Sequence, residues 1–301
     1  MHKRGMVNVI MIWALIALFI LKPGIAHDGA VSGAALFTQA LLPYLLPYII
    51  LTQWLLKLPA SGTNSRGWLR YAKAYTLGSF GGFPVGAVTV SEMKRNGQLS
   101  AYESSLLLAA CHAPGPMFIV GYVGLELFGD TWSGWKLLLA IHTANILFFL
   151  VVLALLSFRR QDADRPPAAP ERKPSTAPLL DAFKESSSII ILVATTVVFF
   201  SSLGNVLTSV IQAAASVEMG IVKTAVLSVF EMTSGVQSAA QHFYGSPIFP
   251  YLIAAILSVN GLSIHMQVFV IARSAGLSLK PYVVGRIFSV AAVPFFLYLL
   301  L

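Results

Sequence analysis

Gly81-Gly82-Phe83-Pro84-Val85-Gly86, followed downstream by Cys111-His112-Ala113-Pro114-Gly115-Pro116, is the stretch whose reading decides the fold. Both blocks interrupt apolar runs, with a helical stretch between them. The same device is written a second time as Glu231-Met232-Thr233-Ser234-Gly235-Val236 and then Val259-Asn260-Gly261-Leu262-Ser263-Ile264-His265. Gly, Pro and polar residues breaking apolar segments at matching places in two halves point to a binding site near the bilayer midplane. Each break frees backbone N–H and C=O groups that lipid cannot satisfy, so they must face protein or a watery cavity. The pattern implies transport.

Composition agrees. The chain has 301 residues, 56% hydrophobic and 11% charged, against about 25% charged in a soluble domain, which marks a polytopic membrane protein. The net charge of +8 is spread through short loops and belongs to topology, not to a nucleic-acid face. The single cysteine, Cys111, excludes an internal disulfide framework. No nucleophile–base pair, metal-ligand spacing or cofactor motif appears, so neither enzyme activity nor a cofactor or metal is expected. Gly78-Ser79-Phe80-Gly81-Gly82-Phe83 lacks the Gly-Lys-Ser/Thr ending of a phosphate-binding loop.

Outward from the breaks, Met6–Leu21 is apolar after His2-Lys3-Arg4 and fits a signal peptide or a retained span; we take the retained span, followed by an outer loop. Ala34–Leu58 crosses, carrying Pro43 and Pro47. Ala74–Glu92 lies between Lys73 and Lys94-Arg95, so it reads as a re-entrant hairpin leaving on the side it entered. Tyr102–Phe128 crosses with a break at Ala113–Pro116, and Gly134–Phe158 crosses back. Residues 159–178, rich in Pro and charge, form a linker. Leu179–Ser188 reads as a short amphipathic interfacial helix, Ile189–Gln212 as a span, and Ala225–His242 as a second hairpin. Pro247–Ala272 is a span broken at Asn260-Gly261, and Pro281–Leu301 closes the chain. The units are thus 1–33, 34–158, 159–188 and 189–301.

With a cytoplasmic N-terminus, all but Lys22, Lys136 and Lys223 of the 20 Lys and Arg residues fall inside. The two halves then run in opposite orientation. The expected fold is an all-α polytopic membrane protein, an inverted repeat with two re-entrant helical hairpins and two broken spans, suited to alternating access in a cell membrane.

The repeat carries a resemblance over roughly residues 75–290. Gly82-Phe83-Pro84-Val85-Gly86-Ala87, Gly97-Gln98-Leu99, Glu103 and Cys111–Ile119 resemble the YlbJ-type (SpoVV-like) sporulation integral membrane proteins. So do Glu231–Gly235, Gly261–Gln267, Lys280-Pro281-Tyr282 and Gly285-Arg286. That family belongs to the nucleoside-recognition or Gate-domain group and is similar in plan to concentrative nucleoside transporters. The resemblance implies a transporter, with dipicolinic acid as cargo and the forespore outer membrane as location in the sporulation branch.

The residues themselves suggest a site for a small polar, anionic metabolite, with a nucleoside as the alternative and a non-transporting scaffold or accessory subunit as the alternative of another class. Gly82, Pro84 and Gly86 would open the first hairpin tip and aim N–H groups inward, unless they only permit close helix packing. Glu231 is an intramembrane carboxylate, costly and therefore functional by default; the competing reading is an interfacial acid. His112 and His265 sit at equivalent breaks and suit carboxylate recognition or proton coupling, or else they bond freed backbone. Pro114 belongs to the first break. Thr233, Ser234, Gly235, Asn260, Ser263 and Gln267 offer hydrogen bonds to a polar ligand, or else cap half-helices. Arg286 reads as a positive-inside anchor, with an anion contact as the minor alternative. The partners expected are a small-molecule substrate and the lipid bilayer, with a coupling ion or proton and a homo-oligomer left open.

Overall fold

The computed structural model describes residues 2–58, 67–159, 176–214 and 217–301. Nearly all of the expected linker, 159–178, lies outside the described residues. The described chain is helical, without strands. Among the described residues five segments are long and apolar enough to cross a membrane: Pro23–Lys57, Thr131–Phe158, Pro178–Ala214, Phe249–Ser274 and Lys280–Leu300.

The helices are α1 (His2–Leu21), α2 (Pro23–Leu36), α3 (Leu42–Lys57), α4 (Gly67–Gly81), α5 (Val85–Arg95), α6 (Ala101–Ala110) and α7 (Thr131–Arg159). They continue as α8 (Pro178–Ala214), α9 (Met219–Phe230), α10 (Met232–Phe243), α11 (Phe249–Val259), α12 (Gly261–Ser274) and α13 (Lys280–Leu300). Two π-helical segments, Phe37–Leu41 and Phe118–Phe128, complete the set. The order is twice the same: a long helix, two short helices joined by a tight turn, an interrupted helix, a long helix.

Two segments differ from expectation. Residues 23–33, read as an outer loop, are helical and continuous with the following span. Pro23 opens α2 at a position where its missing N–H is no loss. The small residues of α2 then lie flat on α8: a Cβ on Gly29 would stand 2.9 Å from the Ser202 Cα, and one on Gly33 would stand 2.7 Å from the Ser201 Cβ. In lipid, where apolar burial does not drive association, such close approach is what holds helices together. The Ser202 hydroxyl adds a 2.6 Å bond to the Ala26 carbonyl. Likewise Leu179–Ser188 is no separate helix but the first turns of the 37-residue α8, which at 1.5 Å per residue exceeds the roughly 30 Å apolar core of a bilayer. Glu185 on this extension pairs with Lys57 at 2.6 Å.

The two short-helix pairs are antiparallel. In α9–α10, Gly220 faces His242, Thr224 bonds Ser238 at 2.9 Å and Gly235 packs on Ser228. In α4–α5, Gly78 faces Gly86. Their open ends lie at opposite ends of the interrupted segment 101–128. At the α4–α5 end, Lys94 donates to the Ala275 carbonyl, Arg95 reaches the Ser274 hydroxyl at 2.9 Å, and the Ser278 N–H reaches Ser105 at 3.0 Å. At the α9–α10 end, Tyr244 lies against Gly129 and Phe128 against Phe249. Glu92 is paired with Arg95 at 2.7 Å, as its charged neighbours suggest.

Candidate functional site

The first tip and the first interruption meet backbone to backbone. α4 stops at Gly81, Gly82 adopts φ +73, Pro84 caps α5, and α6 stops at Ala110. A Cβ on Gly86 would lie 1.9 Å from the Cys111 carbonyl oxygen, and one on Gly78 would lie 2.6 Å from that oxygen. One on Gly82 would lie 2.7 Å from the Gly115 nitrogen. These glycines are required by contact, and within the tip the Ala87 N–H bonds the Pro84 carbonyl at 3.0 Å and the Gly86 N–H bonds the Gly82 carbonyl at 3.4 Å.

The second tip and interruption meet through side chains as well. Glu231, extended between α9 and α10, is 1% exposed and caps α10: its carboxylate accepts the Ser234 N–H at 2.6 Å. The Ser263 hydroxyl, from the first turn of α12, donates to the other carboxylate oxygen at 3.4 Å. Ser234 in turn bonds Ser201 of α8 at 2.9 Å. Asn260 (φ 77) and Gly261 (φ 65) turn the chain between α11 and α12. Gly261 is held so close to the tip that a Cβ would stand 2.9 Å from the Met232 nitrogen. A glutamate as an N-cap satisfies orphan donors and sits favourably on the helix dipole, so the N-terminus of α10 is already neutralised from within.

Both pairs border one small cavity, of about 20 Å³, between them. Phe83, Pro114 and Gly115 face it from the first pair, and Glu231, Thr233 and Gln267 from the second. Leu41 from the first π-helical segment, Leu45 from α3, and Val193 and Val197 from α8 close it. Gln267 donates to the Thr196 hydroxyl at 2.9 Å. The space holds about one water molecule, far below the few hundred Å³ of a small-molecule pocket.

The expected site residues therefore divide. Pro114, Glu231, Thr233 and Gln267 line the cavity; Gly82, Pro84, Gly86, Ser234, Gly235 and Ser263 build the tips behind it. His112, Asn260 and His265 turn the other way. His112 is fully buried, 4.5 Å from the Phe83 ring and 5.1 Å from the Tyr282 ring, and neither ring nitrogen has a hydrogen-bond partner among the described residues. His265 Nδ1 bonds the Tyr282 hydroxyl at 2.8 Å. α12 thus presents Ile264 and Gln267 to the cavity, Ser263 to the Glu231 carboxylate behind it, and His265 to a separate cluster.

Sequence reasoning missed a polar vestibule of about 330 Å³ at the open end of α9–α10, bordered by Glu126, Gln237, Gln241 and Tyr244. Tyr44 donates to Glu126 at 3.0 Å. The signal was available: Thr233, Gln237 and Gln241 repeat at helical spacing along one face of α10, leading from the tip toward Tyr244 just past its end. Among the described residues no group of three His, Cys, Asp or Glu side chains is placed to hold a metal ion. Comparison with known protein families, characterised proteins and solved structures finds no match to this chain.

Proposed function

We propose that the chain is a membrane transporter of a small polar metabolite, built as an inverted repeat in which α4–α5 and α9–α10 are re-entrant hairpins entering from opposite sides. The N-terminus is taken as cytoplasmic. The observation that carries this reading is Glu231, a buried carboxylate on a cavity that both hairpin tips and both interrupted helices border. Capping α10 needs only a neutral acceptor, whereas an ionisable group facing such a cavity is expensive and is functional by default. The cavity is too small for cargo, so loading requires a hairpin to withdraw, which is how alternating access works around a fixed site. The polar face of α10 supplies the approach from the vestibule.

For the cargo, the geometry favours an uncharged, hydrogen-bonding molecule of the nucleoside class. The donors at the α10 N-terminus already hold Glu231, and that carboxylate repels an anion. The second reading, an aromatic dicarboxylate such as dipicolinate exported during sporulation, rests on the resemblance of the motifs. Proteoliposomes loaded in turn with a labelled nucleoside and labelled dipicolinate test both: saturable flux of one, inhibited by its own unlabelled form and absent from Glu231→Gln, is expected. Equal leakage with and without the protein for every solute would end the transport reading. The hairpins are tested by labelling single cysteines at positions 96 and 241 in a Cys111→Ser background. Labelling of both from the same side of the membrane would overturn the inverted repeat.

A further inference from the structure

The face of α12 turned away from Glu231 borders a second and much larger space. A groove of about 720 Å³ runs between α12 and α13, and apart from three side chains it is apolar. Leu262, Met266, Val283 and Ile287 along it are exposed at the outer surface of the helix bundle. The three exceptions are His265, Tyr282 and Arg286. Arg286 is 6% exposed, although it lies well inside an apolar helix. Its guanidinium donates one long bond, 3.4 Å, to the Ala109 carbonyl, and its carbon stands 5.8 Å from the Tyr282 ring. Its Nε has no partner, and no carboxylate pairs with it among the described residues. Behind Tyr282 lies His112, also without a hydrogen-bond partner.

A guanidinium removed from water is stable when it is paired, and an unpaired arginine within a membrane span marks a ligand. The surroundings describe that ligand. The groove has the volume of a small-molecule site but opens sideways, across a surface that faces acyl chains. What fits is a molecule with one anionic end and an apolar body. A carboxylate suits the donor set: it accepts the planar guanidinium fork, and the Tyr282 hydroxyl lies on the same floor of the groove. Depth favours it over a phospholipid. Arg286 is six residues into α13, about 9 Å along the axis, where a phosphodiester would have to drag its glycerol and headgroup below the interface. A fatty acid brings two oxygens only.

We infer that the α12–α13 groove binds a long-chain fatty acid taken laterally from the bilayer, its carboxylate on Arg286 and its chain along Leu262, Met266, Ile287 and Val290. The inference does not depend on the transport reading, because binding is measured without flux.

The test uses the full chain in phosphatidylcholine nanodiscs, with cis-parinaric acid fluorescence as the probe and palmitate, methyl palmitate and dipicolinate as competitors. Parinarate is expected to bind, palmitate to displace it, and methyl palmitate to fail for want of a charge. Arg286→Gln is expected to weaken binding about tenfold or more, the worth of one charge-assisted bond. Should that variant not fold, Ile287→Trp decides: this residue is 68% exposed at the groove, so the ring fills the space without disturbing the bundle, and binding should fall similarly. Equal displacement by methyl palmitate, or unchanged affinity in either folded variant, overturns the inference. Displacement by dipicolinate as effective as by palmitate also overturns it and makes the groove a site for a soluble carboxylate. A photo-crosslinker at position 287 that captures a second copy of the chain would show that the groove is an oligomer contact instead.

Discussion

The two tip-and-break pairs do the same structural task with different chemistry. In the first, Gly78, Gly82 and Gly86 bring backbone against the backbone of Cys111 and Gly115, closer than any Cβ allows. In the second, Glu231 stands in the tip and draws α10 and α12 together through Ser234 and Ser263. One joint is steric and has no adjustable part. The other is electrostatic and rests on one carboxylate. Under the transport reading proposed above, the steric half would hold its shape while the electrostatic half, α9–α12, would respond to cargo.

The largest effects should break the steric joint. Gly86→Ala puts a methyl group 1.9 Å from the Cys111 oxygen, and since that atom is backbone the strain cannot be relieved by a rotamer change. We expect a loss above about 4 kcal/mol, seen as little folded protein recovered from the membrane. Gly24→Ala, with open space around it in α2, is the control and should express normally. A normally stable Gly86→Ala would mean that the first joint is loose and the comparison false. Next in size is the electrostatic joint. Glu231→Ala removes the α10 cap and leaves a buried N–H unmet, costing about 2 kcal/mol. Glu231→Gln keeps an acceptor and should cost under about 1 kcal/mol, yet abolish flux or its pH dependence. Full activity of Glu231→Gln at every pH would transfer the coupling chemistry to His112 and His265.

Much of this was legible because breaks in apolar helices have few causes. Gly82-Phe83-Pro84 and Asn260-Gly261 cannot continue a helix in lipid without cost, so their positions and pairing were readable, as was the doubled order of elements. What was not legible depends on contacts between distant segments. Gly29 and Gly33 look like loop residues beside His27 and Asp28 until α8 is laid against them. Arg286 looks like an anchor near a helix start until Tyr282 is found against the second break, which places the arginine deep in the bundle. The division of the candidate residues between two faces of α12 follows from helical phase. Ile264 and His265 point apart, but which face meets which neighbour is decided only by packing.

Within the second joint, the Ser263 contact should be minor. At 3.4 Å its bond to Glu231 is long and weak, so Ser263→Ala is expected to cost under about 1 kcal/mol in thermal unfolding. A loss as large as that of Glu231→Ala would mean that the serine, and not the α10 cap, holds the break to the tip.

The smallest effect calibrates the second joint against the same device in water. Asp130, in the exposed turn before α7, accepts the Trp132 N–H at 3.0 Å and the Ser133 N–H at 2.8 Å, much as Glu231 accepts the Ser234 N–H. These two backbone bonds, then the Ser133 hydroxyl, hold its carboxyl below the ordinary 3.8. The sign follows: a group whose folded value is depressed contributes its stability above the unfolded value and loses it as pH falls through the folded one. Thermal midpoints of the parent and Asp130→Asn should therefore differ slightly and constantly above about pH 4, the ordinary carboxylate range, and converge below it. Asn remains a competent cap, so the gap reports the charge and not the hydrogen bond. Bulk water screens Asp130, whereas Glu231 is buried, and the gap at Asp130 should be the smaller of the two acid-to-amide changes. A gap as large as that at Glu231 would mean that burial adds nothing to a helix cap in this protein, and the electrostatic half of the comparison would fail.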